Sequence, residues 1–152
     1  MHSLQPVIFL HTMTNTEIIH QFFEAWQSGN KKAISAVMSE KVKWHFEGRH
    51  VLAGTRHGID EVVELFDVMG CIMANSNPTI AKLVSAEQNN YVIECHHVVT
   101  NRDDSVNICH HISVLWTFEN EKIISGRHFF ADPVGADNFF NAISDLLNIK
   151  HF

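Results

Sequence analysis

From Thr79 to Ala131 the chain alternates apolar and polar residues in four runs, separated by polar segments at Gln88 to Asn90, Asn101 to Ser105 and Glu119 to Glu121. Period-two alternation belongs to strands, and connections this short join antiparallel neighbours. A meander of that length has one face to bury, so the rest of the chain has to supply the cover.

The remaining segments can do so. Thr14-x-x-Glu17 can act as a capping box, after which Ile18, Ile19, Phe22, Phe23 and Trp26 repeat at helical spacing until Ser28-Gly29. Ala33, Ile34, Val37 and Met38 mark a shorter helix, VKWHFE a strand, and Gly54 and Gly58 a turn. Ile59, Val62, Val63, Phe66 and Met69 then form the stripe of a third helix. Beyond the Asp132-Pro133 break, Phe139, Phe140, Ile143, Leu146 and Leu147 return to helical spacing. Helices gathered early and strands late predict an α+β fold, a curved antiparallel sheet covered on one face by the N-terminal helices, with a helix at the C-terminus.

Composition bounds the rest. At 152 residues and 45% hydrophobic, the chain fills one core, which gives a single domain over 14–152 preceded by a loose tail over 1–13. Met13 is also a candidate natural start. The net charge of −6 argues against nucleic acid and against an anionic membrane surface. The apolar run from Pro6 to Leu10 is too short for a membrane span. Cys71, Cys95 and Cys109 lack C-x-x-C spacing and read as free thiols, which places the protein in the cytoplasm.

Two segments, ECHHVV from Glu94 and ICHHIS from Ile108, carry the chemistry-bearing residues. Side chains alternate across a strand, so Ile93, Cys95, His97 and Val99 share one face and Glu94, His96, Val98 and Thr100 the other. In the next strand Ile108, His110, Ile112, Val114, Trp116 and Phe118 share a face. Taking the more apolar row as the covered one puts Cys95, His97 and His110 inside, and His96, Cys109 and His111 outside. A turn at Glu119 to Glu121 sets Phe118 opposite Lys122 and His128 opposite Ile112, which brings His97, His110 and His128 into one cluster.

WQSGN at the end of the first helix, GIDEVVELF after the Gly58 turn and the hairpin VLWTFENEKIISGRHFFADP carry a resemblance. From about Asn15 to Ala131 the chain resembles the NTF2-like superfamily, within it the SnoaL-like branch of polyketide cyclases and ketosteroid isomerase relatives. That resemblance implies a cone of curved sheet closed by helices, a ligand pocket inside it and a homodimer through the outer sheet face. It also implies what is missing. Phe22, Phe46 and Val114 stand where the isomerases carry a tyrosine and two aspartates, and His128, in KIISGRH, stands where the cyclases carry a pocket aspartate.

The expected site is therefore His128 with His110 and His97, lined by Phe22, Trp44, Phe46, Cys95, Val114, Trp116 and Phe130. An imidazole with pKa near ~6.5 can move protons at neutral pH. A mostly apolar small molecule is the expected ligand, with isomerase, cyclase or hydrolase chemistry open and no cofactor or metal assigned. The alternative is a non-catalytic dimerising or ligand-binding module whose cone is filled by side chains. Outward Cys109, His96 and His111, beside Val98 and Leu115, then read as part of the dimer contact.

Overall fold

The computed structural model of the chain describes residues 12–150. Most of the expected tail lies outside them; Met13, at its end, packs against the core, and its backbone N–H donates to Glu121 Oε1 at 3.2 Å.

Among the described residues, the order is α1 (Asn15–Gln27), α2 (Lys31–Val37), β1 (Met38–Phe46), β2 (Gly54–His57), α3 (Gly58–Ala74), β3 (Thr79–Gln88), β4 (Tyr91–Val99), β5 (Cys109–Glu119), β6 (Lys122–Phe130) and α4 (Pro133–Leu146). The helices start where side chains can replace missing backbone partners. Thr14 accepts from the Glu17 N–H, Asn30 from Ala33 and Asp132 from Gly135. Ile18, Ile19, Phe22 and Ala25 form the buried face of α1, which Gly29 ends at φ 66°.

The α+β expectation holds, with two corrections to the sheet. Its order is β2-β1-β6-β5-β4-β3, and β1 runs parallel to β6, so the sheet is mixed rather than wholly antiparallel. Short turns constrain direction only between consecutive strands, and the meander and α3 lie between β1 and β6 in sequence. The segment expected as a turn after Gly54 is itself a strand, β2, paired with β1.

At the β5–β6 hairpin the loop is Asn120-Glu121, both at positive φ (51° and 59°), and Glu119 faces Lys122. A bulge between Thr117 and Phe118 then sets His128 opposite Val114, not Ile112. Displacement by two positions preserves parity, so His128 keeps the inward face it was expected to have.

Gly126 sits between Trp44 on β1 and Trp116 on β5 in the sheet register. A Cβ there would overlap the Trp44 ring, so glycine is what lets the indoles meet edge to face at 4.9 Å. Phe66 packs on Trp44 at 5.0 Å and Phe22 on Trp116 at 6.1 Å, which ties α3 and α1 to the same point. At the other edge every residue of β3 is exposed, and a bulge between Lys82 and Val84 interrupts the strand.

Candidate functional site

The aromatic cluster fills one end of the cone and leaves a cleft of about 210 Å³ beside it. Phe46, Val98, Ile112, Val114 and Phe130 line its sheet side, Met69 and Met73 of α3 and Phe140 of α4 cover it, and Ile80 borders it from β3. The polar residues of the lining are His96 and His128.

His128 is buried, 8% exposed, with its ring stacked on Phe46 at 4.6 Å. Trp44 Nε1 donates to its Nδ1 at 2.9 Å. Burial lowers the pKa of His128 from 6.5 to about 3, with like-charge repulsion from His96 a smaller cause. The imidazole is neutral across the physiological range.

The other two expected imidazoles do not join it. His110 faces inward, as expected, but its Nε2 lies 3.3 Å from Asp132 Oδ2 at the start of α4, and it does not line the cleft. Its Nδ1 is buried without a hydrogen-bond partner among the described residues. His97 lies on the outer face, stacked on His111 at 4.8 Å with its Nε2 3.5 Å from Cys109 Sγ. The cluster of His97, His110 and His128 does not form.

β4 is turned over relative to expectation. Its register with β5 pairs Glu94 with Val114, His96 with Ile112 and Val98 with His110, so the even-numbered row faces inward and Cys95 and His97 face outward. Counting apolar residues favoured the odd row, but what decides is whether the inward polar groups are satisfied. Here they are. Trp116 Nε1 donates to Glu94 Oε1 at 2.9 Å, and Lys82 Nζ and His96 Nε2 lie 2.9 and 3.8 Å from Glu94 Oε2. Ile93, one of the residues that misled the count, is 41% exposed.

Of the expected lining, Phe46, Val114 and Phe130 border the cleft, whereas Phe22, Trp44 and Trp116 are core behind it and Cys95 lies on the opposite surface. Glu94, His96 and Lys82 were the residues missed. Trp116 carries the signal that finds them, because a buried indole N–H needs an acceptor and Glu94 is the only carboxylate in the β4 segment.

His50 is a buried histidine of another kind. It accepts the Leu52 N–H at Nδ1 and lies 3.0 Å from the Glu47 carbonyl at Nε2, so both ring nitrogens are spent within its own loop. Burial lowers its pKa, and its ring packs on Phe140 at 4.7 Å. Asp137 Oδ1 accepts the Arg49 N–H at 2.7 Å, so the same loop holds α4 over the cleft. Among the described residues, no three His, Cys, Asp or Glu side chains are arranged to hold a metal ion, and no helix is long and apolar enough to cross a membrane.

Comparison with known proteins agrees with this architecture. A SnoaL-like domain profile matches residues 19–126. Bal32a, from a soil-derived mobile gene cassette, superimposes with a TM-score of 0.67 at 24% identity over 83% of this chain and 95% of its own. A protein of unknown function with a cystatin-like fold from Xanthomonas campestris gives 0.63 at 25% identity, over 85% and 99%. An NTF2-like protein from Burkholderia xenovorans LB400 gives 0.65 at 22%, over 84% and 95%. No curated protein matches the chain.

Proposed function

The chain belongs to the SnoaL-like domain family, and from that premise we propose that it is a small-molecule pocket protein whose cleft takes a mostly apolar ligand. The observation that carries this reading is a mostly apolar cleft whose polar lining residues are two histidines, His96 and the buried His128. A few polar groups in an apolar lining are the usual composition of a ligand site. The volume is below the ~300–1,000 Å³ of drug-sized sites, so a compound of one or two rings suits it. Met69 and Met73 can shift to accommodate its outline.

Acid–base chemistry of the isomerase, cyclase or hydrolase kind would fall to His96 on the cleft wall, whose Nε2 lies 3.8 Å from Glu94 Oε2 behind it, because Phe22, Phe46 and Val114 have no proton to exchange. The proposal extends to a cytoplasmic homodimer formed through the outer sheet face, where Val84, Tyr91 and Ile93 are 56%, 51% and 41% exposed. The competing reading, a cone filled by side chains, draws on Phe22, Trp44 and Trp116, which close the space behind His128.

Thermal shift with the bicyclic probe tetralin decides between them. The probe raises the melting temperature of the wild type, and Ile112→Trp, which places a large side chain in the cleft, abolishes the rise. An equal rise in both proteins, or none in either, removes the cleft as the ligand site.

A further inference from the structure

Resting on the cleft reading, the geometry points to a fixed role for His128: a hydrogen-bond donor whose Nε2–H meets an acceptor oxygen on the ligand, with Trp44 as the positioning residue that sets the tautomer. The ligand class is then a one- or two-ring compound bearing a carbonyl-type oxygen.

The argument is one of elimination. An indole N–H can donate and cannot accept, so the 2.9 Å contact from Trp44 Nε1 requires a lone pair on His128 Nδ1. A doubly protonated ring would set two N–H groups against each other at that contact. The ring is therefore neutral, and its single proton sits on Nε2. That nitrogen makes no hydrogen bond to the described residues, it is not among the fully buried atoms that lack a partner, and His128 lines the cleft.

Rotation cannot exchange the two nitrogens at little cost. The ring is stacked on Phe46 at 22°, and the Trp44 ring centroid lies 5.7 Å away. Trp44 is itself held by Trp116 and Phe66 in the space that Gly126 leaves. The donor is thus fixed by contacts that do not involve the ligand, which lowers the ordering penalty on binding.

The consequence reverses the role expected from the sequence. Nδ1 is occupied and Nε2 already carries its proton, so His128 cannot take a proton from a ligand in this arrangement; it can polarise an oxygen. A ligand whose only polar group is an ammonium would meet the Nε2–H with a second donor and gain nothing from it.

Two measurements test this. Long-range proton–nitrogen correlation spectra of the ¹⁵N-histidine-labelled protein should show the His128 ring protonated on Nε2 and bare on Nδ1 from pH 8 to pH 5. Trp44→Phe should shift the ring toward a mixture of tautomers. Separately, 1-tetralone should bind the wild type roughly fivefold more tightly than tetralin of matching shape. His128→Phe, which keeps an aromatic ring against Phe46, should erase that preference while still binding tetralin.

A proton on Nδ1 in the wild type, equal affinity for the two probes, or a preference that survives in His128→Phe overturns the assignment. If neither probe binds, the cleft reading fails for this ligand class, and the ring spectrum alone decides the donor role.

Discussion

Lowering the pH from 7.5 to 5 should destabilise the protein through His128, and the structure sets both sign and size. The folded-state pKa is lowered from 6.5 to about 3, so below pH 6.5 the unfolded chain takes up a proton that the native ring refuses. The stabilisation is fully present above the unfolded pKa and is lost as pH falls toward 3. At 1.36 kcal/mol per pH unit below the unfolded pKa, and less near it, the loss between pH 7.5 and 5 is about 2 kcal/mol. His128→Asn isolates this term, because its Oδ1 can take the place of Nδ1 as acceptor for Trp44 but does not titrate. His50, whose lowered pKa acts in the same direction, is present in both proteins and cancels in the difference. Urea unfolding at half-unit pH steps measures it. The wild type should lose about 2 kcal/mol more than the Asn variant over this range. Parallel stability curves, or a relative gain by the wild type on acidification, would refute a buried neutral imidazole.

The Trp44–Gly126–Trp116 stack and the Glu94 cluster give two further expectations. Gly126→Ala places a methyl group against the Trp44 ring and should destabilise by roughly 1–3 kcal/mol, with loss of near-ultraviolet circular dichroism as the indoles separate; an unchanged spectrum and midpoint would contradict the packing. Glu94→Leu deprives the Trp116 N–H of its acceptor and Lys82 of its partner, and should cost about 1–3 kcal/mol in chemical denaturation, whereas Lys82→Met, which leaves the indole bond intact, should cost less; the reverse order would place the energetic weight on the ion pair.

The helices were legible in the sequence because each carries its own local signal. Thr14 before Ile18 and Ile19, Asn30 before the short helix and Asp132-Pro133 before Phe139 and Phe140 mark starts that depend on residues within one or two turns. The faces of β5 and β6 were legible too, since Trp116 and Phe118 admit only a covered position and the β5–β6 loop spans few residues. Direction and phase elsewhere were not. The parallel pairing of β1 with β6 rests on partners far apart in sequence. The phase of β4 hangs on the segment from Thr100 to Ile108, which is too long to fix register by turn geometry.

That failure on β4 has a physical cause that also explains where the candidate site lies. Hydrophobic counting treats every polar residue as a penalty for burial, which holds only when the residue has no partner. On this sheet two buried tryptophans bring donors of their own to the concave face, one to Glu94 and one to His128. Each indole needs an acceptor as much as the acceptor needs a donor, so the four side chains are buried as two satisfied pairs. The rule that misplaced His97 inside and His96 outside therefore fails at the positions where the fold uses indole hydrogen bonds to bury polar groups on the concave face. Glu94 and His128 are those positions, and the aromatic core is what fixes them there.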